Sequence, residues 1–258
     1  MAFNFFKLSR YLANLCRYVA NPNIIQLKLL KLCWGKDVIT EFEKVLDVIT
    51  QNEKSIQVMI LAENKHFCTG ADLSDLFIKS KEGGKWMNDN MTKHLNRLNT
   101  LPIITYSAVD TLAVGGGAEL ACSTDFRVLK PDAYIQFVHT NFGILPGWGG
   151  FEKLIRIVGW QKAKRILYEA NKLDSGYCKS VNLADFVVDN PELFLIDKYA
   201  NSNNTDVIPF SPDASIIEKG HIKGFKSVQS DLTCEPRVFK ELWMSPYHES
   251  RLKLFKKK

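Results

Sequence analysis

Two glycine-bearing junctions, each following a run that reads as a buried strand, restrict what this chain can fold into. Residues 55–61 lead toward Thr69-Gly70-Ala71-Asp72, and residues 103–109 lead toward Val114-Gly115-Gly116-Gly117-Ala118-Glu119-Leu120. Short apolar runs bounded by turn signals fit strands covered on both faces. Glycine accepts positive φ and lets backbone come close to a ligand. The first amides of a helix lack intrahelical acceptors, and the helix dipole favours negative charge there. Two such amides, one from each junction, could meet on one oxygen as an oxyanion hole. The triple glycine alone leaves other readings open. A dinucleotide-binding turn would need a further glycine where Leu120 stands, and a plain flexible turn also fits.

The surrounding pattern gives the fold class. Residues 37–51 read as a helix with Val38, Phe42, Val45, Leu46 and Ile49 on its apolar stripe. Further helices are expected over 84–99, 118–123, 150–158 and 161–171, with Gly159 stopping the fourth of these five. A strand is expected over 133–138. Strands alternating with helices make an α/β fold. Residues 1–20 place Leu8, Leu12, Leu15 and Val19 on one face and Lys7, Arg10, Asn14 and Arg17 on another. They read either as a mitochondrial presequence or as a docked terminal helix. A stretch rich in Asn, Ser, Pro and Asp over 201–215 marks a boundary, after which the chain reads as helical. The expected organisation is an N-terminal extension (1–22), a core (23–200) and a C-terminal helical, oligomerising segment (201–258).

Charge and cysteine content narrow the function classes. Residues 1–36 carry six bases and no acid, and the last eight residues add five bases. The overall +6 less the +11 of these ends leaves the body at −5. A nucleic-acid binder would carry its bases on the folded body, so nucleic acid is excluded as a partner. No apolar run reaches the roughly 20 residues of a membrane span. The six cysteines and five histidines are scattered, without CxxC or HExxH spacing. That argues against zinc and disulfides and for a reducing compartment.

The ordered motifs "HFCTGADLSDLF", "LPIITYSAV", "VGGGAELACSTDFRV" and "IQFVHTNFGILPGWGG" resemble the enoyl-CoA hydratase/isomerase, or crotonase, superfamily over residues 56–189. The resemblance implies a ClpP-like spiral of ββα units and an acyl-CoA substrate, with CoA as part of that substrate and no separate cofactor. It assigns the oxyanion-hole amides to Ala71 and Gly116, with Gly70 and Gly117 beside them, and the following carboxylate to Glu119. Hydratases of the family carry a second catalytic Glu four residues before the glycine of Gly143-Ile144-Leu145-Pro146; here that residue is His139.

Adding water to a double bond needs one group to activate water and another to protonate carbon. With His139 in place, the resemblance points instead to the branch that decarboxylates ethylmalonyl-CoA, with methylmalonyl-CoA as a second candidate substrate, as metabolite repair. "LDS" after Lys172 and the tail "FKELWMSP" support that branch. Enoyl-CoA hydration or isomerisation, or a silent CoA-binding role, are the alternatives. His139 would orient the departing carboxylate or protonate the enolate, or else be a satisfied structural histidine. Glu119 would orient substrate or water, or serve as a first-turn acid. Phe142 and Trp148 would line the acyl pocket or pack in the core, and Asp125 reads as structural. Family habit implies trimers or hexamers and a cytosolic location, with the mitochondrial matrix as the alternative. Two features depart from the family. "LLKLCWGKDVI" replaces its Pro-x-x-x-Asn-Ala-type segment, and Thr111 stands at a turn usually made by glycine, implying a rearranged turn.

Overall fold

Parallel strands need crossover connections between them, and the chain supplies these in a repeating order. The computed structural model describes residues 24–51, 58–62, 66–101, 103–200, 240, 243–245, 248–249 and 252–253. The expectations for residues 1–20 and 201–215 lie outside that set. Strands β1 (Ile24–Lys28), β3 (Val58–Ala62), β5 (Ile104–Val109), β7 (Phe126–Leu129) and β10 (Phe186–Val187) form one sheet in that order, every pairing parallel.

A short strand follows each of the first four. These are β2 (Cys33–Trp34), β4 (Gly70–Ala71), β6 (Leu112–Val114) and β8 (Tyr134–Gln136). β2 pairs with β4 and β6 with β8, again parallel, and a bridge from Cys68 to Ala113 links the two pairs. β9 (Leu173–Asp174) runs antiparallel to β8. Helices α1 (Lys36–Gln51), α2 (Lys81–Thr100) and α3 (Gly116–Ala121) follow β2, β4 and β6; a 3-10 turn (His139–Phe142), α4 (Gly150–Val158) and α5 (Trp160–Glu169) follow β8. Strand, short strand and helix repeat as a spiral of ββα units. α6 (Ser175–Ser180) and α7 (Pro191–Ala200) complete the described core. No described helix is long and apolar enough to cross a membrane.

The apolar patterns become the core. All five stripe residues of α1 are buried, and α2 buries Met87, Met91, Leu95 and Leu98 against it. β5 is buried at every position, as a strand with both faces covered requires. Asp125 is structural: its carboxylate accepts the Thr105 amide at 2.8 Å and the Thr105 hydroxyl at 2.7 Å.

Several element bounds differ from the expectation, each for a visible reason. α2 starts at Lys81 because Ser80 Oγ accepts the Gly83 amide at 2.9 Å and so caps the helix. α3 starts at Gly116 rather than at Ala118, so the second and third glycines are helical residues. The strand expected over 133–138 ends at Gln136 because the chain turns into the 3-10 turn. β1 and β2 were not expected. The segment that departs from the family pattern forms β2 beside Gly70–Ala71. Positive φ outside glycine occurs only at Ala170, Asn182 and Met244 among the described residues. Thr111 therefore makes its turn without it, and its hydroxyl pairs with His66 Nδ1 at 2.7 Å.

Candidate active site

The two glycine junctions lie against each other. Gly70 has φ +89°, and a Cβ there would stand 2.7 Å from the Gly116 nitrogen. A Cβ on Gly116 would strike the Trp148 ring at 2.6 Å, and one on Gly117 would reach 2.0 Å from the Cys68 carbonyl oxygen. Glycine is required at these positions by close approach, so the triple glycine is a packed joint. Around Ala71 the chain is pinned to β2: the Thr69 amide donates to the Leu32 carbonyl at 2.8 Å and the Asp72 amide to the Trp34 carbonyl at 3.0 Å. Gly116 is the first residue of α3, a position whose amide has no acceptor within its own helix. Ala71 and Gly116 both line one cavity of about 90 Å³.

Glu119 is the anchor of this site. It is 1% exposed, yet each carboxylate oxygen accepts two donors. Oε2 takes the Trp148 amide at 2.7 Å and the Gly150 amide at 2.9 Å; Oε1 takes the Gly147 amide at 3.3 Å and His139 Nε2 at 3.0 Å. A buried charge is tolerable when it is hydrogen-bonded this fully. Since a carboxylate only accepts, the hydrogen of that last contact sits on His139 Nε2. His139 Nδ1 is buried with no partner among the described residues. The Gly147 loop is held from behind as well, where its carbonyl accepts Asn88 Nδ2 and, at 3.3 Å, Thr92 Oγ1.

Most of the remaining wall is apolar, with Leu73, Met87, Val138, Phe142, Ile144 and Trp148 on it, beside Thr69 and His248. Glu119 is the one carboxylate among the described lining residues. Cys68 is no nucleophile: burial pushes its thiol up to about 12, and its Sγ accepts the Gly70 amide.

Residues 33–195 match the Enoyl-CoA hydratase/isomerase family. The chain belongs to this family. It is 34% identical over 200 residues to an ethylmalonyl-CoA decarboxylase of Danio rerio, covering 73% of this chain and 64% of that protein. It is equally 34% identical, over 157 residues, to the human mitochondrial methylglutaconyl-CoA hydratase, covering 60% of this chain and 46% of that one. The matches therefore span between about half and two thirds of these relatives' length. The crystal structure of an enoyl-CoA hydratase/isomerase from Mycobacterium paratuberculosis superposes with a TM-score of 0.79 at 15% identity, covering 93% of this chain and 98% of that one. That likeness confirms the crotonase fold.

Of the eight positions assigned from the family motifs, Ala71, Gly116, Glu119, His139, Phe142 and Trp148 line the cavity. Gly70 and Gly117 do not. They stand behind the wall, where their missing side chains let the two junctions touch. Trp243, which sits in the tail motif "FKELWMSP" but was given no site role, and His248 and Leu252, which no motif covered, also line the cavity from the far end of the chain. Trp243 lies over Gly84, and its Nε1 donates to the Ile78 carbonyl at 3.2 Å and the Ser80 carbonyl at 3.1 Å. Asn88 was missed too. The signal for it was a polar side chain one residue after Met87, on a helix face that buries Met87, Met91, Leu95 and Leu98 and, besides Asn88, only His94 as a polar side chain.

Proposed function

We propose that this family member decarboxylates 2-alkylmalonyl thioesters, ethylmalonyl-CoA first and methylmalonyl-CoA second. One observation carries the reading: the cavity's single carboxylate among the described residues has both oxygens taken by three backbone amides and His139. It is not free to activate water, and the position where hydratases hold a second acid is an imidazole.

In the proposed reaction the thioester oxygen lies against the Ala71 and Gly116 amides. The bond to the free carboxylate stands perpendicular to the thioester plane and breaks. Its electron pair enters the thioester as an enolate, and carbon dioxide leaves. The enolate carbon then takes a proton that His139 Nδ1 picks up from solvent and passes on, while its Nε2–H stays bound to Glu119. The apolar wall favours this direction, because a carboxylate moved out of water gains by becoming neutral carbon dioxide. The similarity to ethylmalonyl-CoA decarboxylases supports the substrate, and family habit supports a trimeric or hexameric, cytosolic enzyme.

The test is carbon dioxide release from ethylmalonyl-CoA by the purified protein, beside His139→Ala and a crotonyl-CoA control. Release by the wild type, reduced roughly hundredfold or more in the variant, is the expected result. Turnover of crotonyl-CoA without such release would replace this reading with hydration. Inertness toward both, in a folded protein, would leave a CoA-binding role.

A further inference from the structure

Two imidazoles line the cavity, and they are wired differently. His139 donates Nε2–H to Glu119. His248 is 1% exposed, and its Nδ1 accepts the Met244 amide at 2.8 Å. A ring nitrogen that accepts from an amide carries no hydrogen, so the neutral ring of His248 holds its hydrogen on Nε2. Trp243 fixes the ring plane, with centroids 4.8 Å apart. Trp243 is itself tied to the start of α2. Nε2 is the ring atom farthest from the backbone, and it has no hydrogen-bond partner among the described residues. Since His248 lines the cavity, a ligand oxygen there is a fitting acceptor for this N–H.

The described lining contains no Lys or Arg. Among the described lining residues, a carboxylate on the acyl group would meet an imidazole rather than a lysine or arginine. We propose that His248 is the specificity-determining residue of this site, its Nε2–H donating to the free carboxylate of the malonyl-type acyl group and selecting carboxylated over plain acyl-CoA. The proposal rests on the decarboxylase reading above and deepens it.

A neutral donor suits that chemistry. A full positive charge would stabilise the carboxylate more than the neutral carbon dioxide it becomes, raising the barrier. A neutral N–H orients the carboxylate across the thioester plane with less of that penalty. Burial holds the His248 ring below the usual histidine range, with Glu249 opposing weakly, which keeps it neutral near pH 7.

The experiment compares two probes by calorimetry: butyryl-CoA, and 2-sulfobutyryl-CoA, in which a sulfonate that cannot leave as carbon dioxide replaces the carboxylate. The variants are His248→Asn, whose Oδ1 can still accept the Met244 amide while its side chain ends short of Nε2, and His248→Phe, which keeps an aromatic ring against Trp243. Carbon dioxide release from ethylmalonyl-CoA is measured in parallel. The wild type is expected to prefer the anionic probe by roughly tenfold or more, as for a hydrogen bond to a charged group. Both variants are expected to lose that preference while binding butyryl-CoA within about twofold of wild type.

Equal weakening of both probes would mean a packing role and overturn the proposal. So would a variant that keeps the preference, or a wild type that shows none. Preference lost in the variants but no carbon dioxide from the wild type would retain the carboxylate site and overturn the decarboxylation instead.

Discussion

The cavity has two walls built on opposite principles. The loop wall, from residues 69–71, 113–119 and 147–150, is backbone locked onto backbone, with Glu119 taking three amides of the facing loop. The C-terminal wall, formed by Trp243, His248 and Leu252, reaches the core through side chains. It seats one indole on a glycine and ties its ring nitrogen to two carbonyls of the α2 start. The first wall has no slack, because its fit is set by missing Cβ atoms. The second hangs on one buried indole, Trp243, which packs into the same core as the helices. Chemistry that needs fixed dipoles belongs on the first wall, and recognition of a variable acyl group suits the second.

The sharpest way to break this contrast is Gly117→Ala. The new Cβ would stand 2.0 Å from a backbone oxygen, which cannot swing aside as a side chain can. The expected loss is about 3 kcal/mol or more, lowering the thermal midpoint by roughly 10 °C and abolishing turnover. A Gly117→Ala protein melting with the wild type would show that the joint has slack.

Glu119→Gln follows in size. Its amide group would point N–H hydrogens at the backbone N–H groups of one oxygen's donors, leaving them unpaired. That costs about 1–3 kcal/mol, visible in a chemical denaturation midpoint, alongside the loss of carbon dioxide release. A variant with unaltered stability but lost activity would make Glu119 a reacting acid instead of an anchor.

Gly84→Ala addresses the other wall alone. Its Cβ would stand 1.7 Å from Trp243 Cδ1, so the indole must leave. Alanine in place of glycine favours the helix by up to about 1 kcal/mol, but expelling a buried indole costs about 3 kcal/mol or more. Global stability should therefore fall, and turnover with it, roughly tenfold or more from lost positioning. Unchanged stability would show that the C-terminal wall lies outside the cooperative core.

The walls also differ in how legible they were. Ala71, Gly116, Glu119 and His139 sit in local motifs, where a glycine or a charge a few residues away states its purpose. The alternation of strand and helix was readable for the same reason, since buried strands and amphipathic helices carry their periods in adjacent residues, whereas the ββα spiral came from the family resemblance. β1 and β2 were not, because two- to five-residue strands become strands only through partners some 35 residues away, such as Trp34 beside Ala71. His248 meets Met87 and Ala71 in one cavity across more than 150 positions of sequence, and no spacing rule joins them. The helix after the triple glycine was read from Ala118 but starts at Gly116, and the close approach of Trp148 to Gly116 and of the Cys68 carbonyl to Gly117 is not evident from the run itself.

The smallest expected effect is a pH dependence confined to the C-terminal wall. Burial lowers the His248 pKa from the ordinary histidine value, so the docked segment binds fewer protons than the undocked one. Docking stability is then complete above about pH 6.5 and is lost as pH falls below it, by at most about tenfold in equilibrium constant per pH unit. Protonation also strikes a specific bond, because Nδ1 can no longer accept the Met244 amide. Hydrogen exchange at the Met244 amide should lose protection between pH 7.5 and 5.5. His94 supplies the contrast. It is buried in α2 with neither ring nitrogen paired, and burial lowers its pKa too, but protonating it requires opening the α1–α2 packing. It therefore weakens the whole fold with the same sign of pH dependence. His94→Leu should flatten the acid loss of global stability and leave the Met244 signal intact. If that substitution abolished the Met244 signal as well, the two walls would be one cooperative unit.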